Sequence, residues 1–468
     1  MYTTIFILWL VSLCAIPHVL LANKRPVSAL AWVWSIFLFP GLGALAYFAL
    51  GADSMRRKRI RKAARANLPR HQASPNLPQR LAPLRRSDAA LIRWLSEINQ
   101  IPASSADEVR LLENGREFYP ALAEAIRAAR HHVHIEFFIW EEDECGREFL
   151  QHLVDAARRG VEVRVLLDQI GCWSLSKSFF QPLHDAGGRM TWFYSLPLWK
   201  HSRFLNLRNH RKLQIIDGHV AFVGGMNLGR EYLGLDQKAG DWRDAQLFLR
   251  GNVVTFLQEI FATDWFFATD ERLGGPLYYP EQTADGPHVV QVIAGGPDIE
   301  REPIPKTLIA LLGLAKKRLW ITTGYFVPDT LFLTALQMAA ARGVDVRLLI
   351  SQRSDHPFLV LVGRSFYGEL MQWGVRVFEY SSALNHKKTA LYDDDWLMVG
   401  SANSDNRSMR LNFELNAFVH APEEAARLKA TLEAEFASSH EIDLHDFTSR
   451  PVWTRLVEGA FRLLAPLL

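Results

Sequence analysis

Two segments of this chain carry the same reactive side chains at the same spacing: Asn209-His210-Arg211-Lys212 closing at Asp217, and Asn385-His386-Lys387-Lys388 closing at Asp393. Each runs on into Val-Gly-small-x-Asn, ending at Asn227 and Asn403. With 16 His and only 13 Lys in the chain, about 0.05 matches to His-x-Lys-x4-acid are expected by chance. One copy would pass for a surface loop; two that continue alike do not. The alternation in Lys212-Leu-Gln-Ile-Ile-Asp217 and Lys388-Thr-Ala-Leu-Tyr-Asp393 is that of a strand, which sets His210 with Lys212, and His386 with Lys388, on a common face. Imidazole beside ammonium is unfavourable unless an anion lies between them. Two such pairs facing each other enclose one phosphate, with Asn227 and Asn403 donating amide hydrogens to its remaining oxygens.

That set suits covalent cleavage of a phosphodiester. One neutral imidazole attacks phosphorus and the other, protonated, hands its proton to the leaving alkoxide. Lys and Asn stabilise the phosphoryl oxygens, so no metal and no other cofactor is expected. The catalytic set is then His210, Lys212, Asp217, His386, Lys388 and Asp393, with the Asn pair on phosphate. Imidazoles need orienting partners, and Asp244 and Glu414 stand in matching places after the two motifs. Which carboxylate serves which histidine is open at this point, and so is which histidine attacks.

The elements that must hold these side chains are repeated too. Ala156 to Gln169 has a near copy at Ala339 to Gln352, each an amphipathic helix ending by a glycine (Gly160, Gly343) and leading into a Val/Leu-rich strand. Apolar strands also precede them, at His132 to Trp140 and Leu319 to Val327. The fold class is therefore α/β, two tandem halves. Hydrophobic residues at 49% and charged residues at 22% exclude a disordered chain, and a net charge of +3 gives no field that would draw nucleic acid. Three cysteines are too few and scattered for a disulfide framework or zinc site. The cluster His131, His132, His134 reads as a strand entrance rather than a metal site.

Ahead of the halves lie two charge-free runs, Met1–Ala22 and Pro26–Ala52, separated by Lys24 and Arg25. Each reaches the ~20 residues that cross a bilayer core, so a transmembrane hairpin is expected over 1–55, with spans about 2–22 and 27–50. Eight basic residues between Arg56 and Arg70 place that side in the cytoplasm and would attract anionic head groups. A basic, Pro-rich linker is expected over 56–100, the halves over 101–275 and 276–445, and an amphipathic tail over 446–468. Trp192, Trp199 and Phe204 read as core packing, with a lipid entrance as the alternative.

The paired motifs resemble the phospholipase D superfamily. Within it the whole chain is similar to the bacterial cardiolipin synthases of the two-span type, on Pro26 to Tyr47, on Val399 to Ser408 with Asn412-Phe-Glu-Leu-Asn416, and on the tail from Arg450. The resemblance implies a pseudo-two-fold pair of αβ domains sharing one active site in the bacterial inner membrane, the domains facing the cytoplasm. It implies transfer of a phosphatidyl group between two phosphatidylglycerol molecules, giving cardiolipin and glycerol. His210 would be the nucleophile and His386 the acid/base, and Asp217 and Asp393 would be structural. The partners are anionic phospholipids (phosphatidylglycerol, cardiolipin) and the membrane, without nucleic acid; no protein partner is indicated. Two other readings use the same residues: a hydrolase releasing phosphatidic acid, and an anchored scaffold with a relic site.

Overall fold

The computed structural model describes residues 9–10, 12–21, 26–48, 84–176, 178–194, 207–235, 242–282, 286–463 and 465. The basic cluster of 56–70, the linker up to residue 83, Trp199 and Phe204 lie outside them. The chain divides into two units: 1–67 with 194–207, and 68–193 with 208–468.

In the first unit the apolar runs form the helices Ile16–Leu21, Pro26–Leu38 and Leu42–Ala46. The second run, expected as one span, breaks where Pro40 lacks an amide hydrogen and Gly41 takes φ +83°. The Gly41 N–H donates to Ser12 Oγ at 2.6 Å, and His18 Nδ1 lies 2.8 Å from Tyr47 Oη. No helix among the described residues is long and apolar enough to cross a membrane.

In the second unit, strands run in chain order as β1 (Ser104–Ala106), β2 (Glu108–Glu113), β3 (His132–Phe137), β4 (Glu162–Leu167), β5 (Arg189–Trp192), β6 (Leu213–Ile216), β7 (Val220–Gly224), β8 (Trp242–Arg243) and β9 (Ala245–Arg250). They continue as β10 (His288–Gly295), β11 (Arg318–Thr323), β12 (Phe326–Val327), β13 (Asp345–Ser351), β14 (Arg376–Tyr380), β15 (Leu384–Asn385), β16 (Thr389–Tyr392), β17 (Trp396–Gly400), β18 (Ser404–Asp405), β19 (Glu414–His420) and β20 (His440–Glu441). One sheet is ordered β2-β9-β7-β6-β3-β4-β5 and the other β1-β10-β19-β17-β16-β11-β13-β14-β20. Position for position, the first order recurs inside the second. The parallel pairs also repeat: β3 with β4 and β4 with β5, then β11 with β13 and β13 with β14.

The repeated helices start and stop for the same reasons. Asp143 caps Glu144–Arg158 and Asp329 caps Thr330–Ala341, each side chain accepting a backbone N–H at 2.8 Å. Gly160 and Gly343 end them at φ +89° and +86°, a conformation glycine adopts without a Cβ clash. Phe149, Leu153 and Val154 then reach the first core, and Phe332, Leu333 and Leu336 the second.

The linker expected over 56–100 ends sooner than its composition suggests. Arg86–Asn99 is a helix whose Leu91, Ile92 and Leu95 pack against Ile293 and Leu308, an apolar stripe at helical spacing. β1 likewise pairs with β10 in the second sheet. The tail contains the helix Val452–Arg462.

Candidate active site

Each His-x-Lys segment is the irregular stretch leading into a central strand, β6 or β16, and there the halves meet. Leu384 and Asn385 of β15 pair in parallel with Trp242 and Arg243 of β8, and Asn209 bridges Phe413. The His386 N–H donates to Arg243 O at 2.7 Å and the His210 N–H to Phe413 O at 2.9 Å. Arg243 precedes Asp244 and Phe413 precedes Glu414, so each histidine backbone is tied to the residue before the other half's carboxylate. The side chains repeat the exchange: His210 Nδ1 lies 2.9 Å from Glu414 Oε2, and His386 Nδ1 lies 2.8 Å from Asp244 Oδ2. The pairing left open by the sequence is crossed, each half orienting the other half's imidazole. With Nδ1 engaged, Nε2 is the ring nitrogen left for substrate.

The glycines of the motif make these approaches possible. A Cβ on Gly225 would lie 2.2 Å from Asp244 Oδ1. At the equivalent place Ser401 donates its hydroxyl to Glu414 Oε2 at 2.5 Å, so the two carboxylates are held by different means. Asp244 receives Lys388 Nζ at 3.1 Å and the Ala245 N–H at 2.8 Å. Burial alone would raise its pKa, but Lys388 and His386 outweigh it and keep the carboxyl below its ordinary range. Burial pushes Glu414 up to about 7, with Lys212, Ser401 and Asn412 offsetting only part of it.

Both lysines are buried behind the histidines rather than in the cavity wall. Lys212 Nζ donates to His210 O at 2.8 Å; Lys388 Nζ donates to His386 O and lies 2.6 Å from His386 Nδ1. Burial brings Lys212 down to about 7 against the pull of Glu414, and lowers Lys388 also. Burial, then Lys212, Lys388 and His386, hold His210 well below the ordinary histidine value. His386 is lowered by burial and Lys388, while its bond to ionised Asp244 pulls it back. Without an anion the site therefore sheds positive charge.

His210 and His386 line one cavity of about 370 Å³, together with Asn227 and Asn403. Asn227 Oδ1 accepts the Ile139 N–H at 3.1 Å. Asp217 and Asp393 are not brought there. They sit in the turns that follow β6 and β16, at φ +54° and +51°. Asp217 accepts the N–H groups of Arg130, His131 and His132 at 2.8–2.9 Å. Asp393 accepts those of Lys316, Lys317 and Arg318 at 2.8–3.3 Å, and pairs with Arg85 at 2.5 Å. Named in the catalytic set from sequence, neither lines the cavity; each clips a strand entrance from the far end of its strand. His132 and His134 are buried on β3, His134 stacked on Phe261 at 4.5 Å. Trp192 packs against the first core.

Several lining residues escaped the motif reading: Phe138 and Trp242, whose rings lie 4.8 and 5.4 Å from those of His210 and His386, and Arg208, Arg407, Tyr325 and Asp355. Two had a signal, since Arg208 adjoins the first motif and Arg407 lies four residues beyond Asn403. Tyr325 and Asp355 had none.

A family model described as cardiolipin synthase, PLD-like domain, matches residues 122–265 and 308–437, and one described as phospholipase D-nuclease N-terminal matches residues 5–51. Cardiolipin synthase of Geobacillus thermodenitrificans is 39% identical over 454 residues, covering 96% of this chain and 90% of that protein. Cardiolipin synthase 2 of Bacillus anthracis is 37% identical over 455 residues, covering 96% and 88%. The major cardiolipin synthase ClsA of Bacillus subtilis is 35% identical over 478 residues, covering 98% and 99%. The crystal structure of phosphatidylserine synthase from Haemophilus influenzae Rd KW20 shares the fold at TM-score 0.60 and 15% identity, covering 81% of this chain and all of that one. With two PLD-like domains matched and relatives aligned over nearly its full length, this chain belongs to the cardiolipin synthase family.

Proposed function

We propose that this enzyme moves a phosphatidyl group from one phosphatidylglycerol to the glycerol hydroxyl of another, giving cardiolipin and free glycerol, reversibly and through a phospho-histidine. The observation that carries the reading is the single cavity lined by one histidine from each half, each imidazole held by the other half's carboxylate. His210, the more strongly neutral of the two, attacks phosphorus through Nε2. The bond from phosphorus to the glycerol oxygen breaks, and His386 gives its proton to that oxygen. The hydroxyl of the second lipid then gives its proton to His386 and attacks phosphorus, and the bond to His210 breaks. Asn227 and Asn403 donate to the phosphoryl oxygens, while Lys212 and Lys388 supply charge from behind the imidazoles. Binding the phosphate anion raises both lysine pKa values, so the site takes up protons as substrate enters.

A cavity of about 370 Å³ holds head groups but not the acyl chains of two diacyl lipids, so the chains stay in the bilayer. Two apolar features fit that location. The N-terminal segment, read from sequence as a two-span hairpin of the bacterial inner membrane, leaves Leu20, Leu21, Leu30, Phe39 and Leu42 exposed. The helix Val452–Arg462 exposes Val452, Trp453, Leu456 and Val457 on a strongly amphipathic body, as expected of a helix lying in a membrane interface. The basic residues after Ala52 assign the catalytic halves to the cytoplasmic side.

The test is direct. Purified protein in detergent with phosphatidylglycerol, excess EDTA and no nucleotide should yield cardiolipin and glycerol in equal amounts. Phosphatidic acid as the main product would make the enzyme a hydrolase, and no turnover would leave the site a relic.

A further inference from the structure

The pseudo-two-fold axis invites equal surroundings for the two histidines, and the structure departs from that. The bridge of Trp140 to Leu228 and the pairing of Phe326 with Ser404 fix the correspondence: Phe138 matches Gly324, and Ile139 matches Tyr325. Counting on from the repeated Gly160 and Gly343, Cys172 matches Asp355.

On the His210 side the matched positions are therefore apolar, with the Phe138 ring packed edge-on against the imidazole and Cys172 buried in the core. On the His386 side Gly324 lets His386 and Asn403 close over the backbone where Phe138 stands opposite; a Cβ there would come 3.0 Å from His386 Cδ2 and 3.4 Å from Asn403 Oδ1. Beside His386 the cavity is lined by Tyr325, its ring 5.9 Å from that of His386, and by Asp355, which accepts the Tyr325 hydroxyl at 2.6 Å, lies 3.7 Å from His356 Nε2 and is 37% exposed. Asn403 is 3% exposed, and its Oδ1 has no hydrogen-bond partner among the described residues.

A carboxylate and an unsatisfied amide oxygen form an acceptor-rich wall beside a phosphate site. Phosphoryl oxygens are repelled by such a wall, and a buried acceptor left without a donor is destabilising. What satisfies it is a neutral molecule carrying several hydroxyl donors. We propose that Tyr325, Asp355 and Asn403 Oδ1 form a polyol subsite that seats the glycerol head group against His386. The proposal rests on the phosphatidyl-transfer reading above. It adds that leaving glycerol and incoming lipid glycerol use this one subsite in turn, because His386 protonates the first and deprotonates the second. Hydroxyls other than the reacting one bond to Asp355 and Asn403, which discriminates a diol from water or a simple alcohol.

The experiment runs the reaction backwards with the full-length enzyme, cardiolipin as donor, and glycerol or propan-1-ol as acceptor. The readout is the ratio of kcat/KM for glycerol over propan-1-ol. It is internal to each preparation, so a partly unfolded variant still reports it. The wild type is expected to prefer glycerol strongly, and Asp355→Asn and Tyr325→Phe are each expected to lower that ratio about ten-fold or more. Should Asp355→Asn be inactive, Tyr325→Phe, which loses a single oxygen, decides alone. A ratio unchanged in the active variants overturns the subsite, as does a wild type that does not discriminate. Failure of the underlying reading looks different: the wild type then makes no cardiolipin from phosphatidylglycerol.

Discussion

Replacing Asp244 by Asn keeps the shape of the side chain and removes its charge. His386 Nδ1 loses a charged acceptor at 2.8 Å, and Lys388 Nζ loses one at 3.1 Å. A hydrogen bond to a charged group contributes about 1.5–3 kcal/mol, and 1.36 kcal/mol is a factor of ten in rate, so loss of the His386 bond alone should lower kcat/KM roughly 10- to 150-fold. The pH profile carries the sharper signature. Ionised Asp244 raises the pKa of His386, so removing the charge lowers that pKa. The first step needs His386 protonated, and its protonated fraction then disappears at lower pH: the alkaline limb of kcat/KM moves down. Glu414→Gln should behave differently. His210 titrates well below its ordinary value, where Glu414, at about 7, is already protonated; the amide resembles the state the carboxyl holds there, and the acid limb stays in place. Cardiolipin formation in mixed micelles between pH 5 and 9 measures both. An Asp244→Asn enzyme whose acid limb moves, or whose limbs both stay, would refute the crossed orientation of the two imidazoles.

Three further outcomes follow from the same geometry. Asp217→Ala removes the acceptor of three backbone N–H groups from a turn far from the cavity, and should lower unfolding free energy by roughly 2–4 kcal/mol with kcat per folded molecule retained; a dead but stable enzyme would return Asp217 to the chemistry. Lys387 joins the halves by pairing with Glu113 at 3.0 Å and Glu435 at 2.6 Å while 2% exposed, so Lys387→Ala leaves buried carboxylates unpaired and should cost about 3–5 kcal/mol in urea unfolding, whereas an unchanged midpoint would show the pair to be dispensable. Replacing both Trp453 and Leu456 by Glu should raise several-fold the mole fraction of phosphatidylglycerol needed for half-maximal rate, and an unaltered dependence would remove the C-terminal helix from the membrane interface.

The chemistry was legible in the chain because it is written twice. His210, Lys212, His386 and Lys388 announce themselves by type and spacing, and the repeated helix and strand around Gly160 and Gly343 reveal the duplication that brings them together. What stayed hidden depends on contacts across the two halves. Asp244 and Glu414 were identifiable from their matching context, but nothing local says that each serves the other half's histidine. The lysines, placed on the cavity face by strand periodicity, lie behind it because residues 210–212 and 386–388 precede the regular strands and are free of that alternation. Asp217 and Asp393 belong to the motif by sequence, yet their left-handed turns fold them back onto the preceding strands. The helix Arg86–Asn99 was masked by the prolines and arginines before it, and the break at Pro40-Gly41 by a hydropathy count that ignores backbone geometry. Tyr325 and Asp355 could not be found at all by looking for what the halves share, since they are where the halves differ.

The central claim is that one histidine forms a covalent bond to phosphorus while the other moves the proton. Acid-labile adducts are best caught by mixing the enzyme with phosphatidylglycerol in EDTA, quenching in alkali and mapping the modified peptide by mass spectrometry. The account predicts a phosphatidyl group on His210 in the wild type, and little of it in His386→Ala, which lacks the proton donor that the first step needs. Modification of His386 instead, or cardiolipin formation with no adduct on either imidazole, would contradict it.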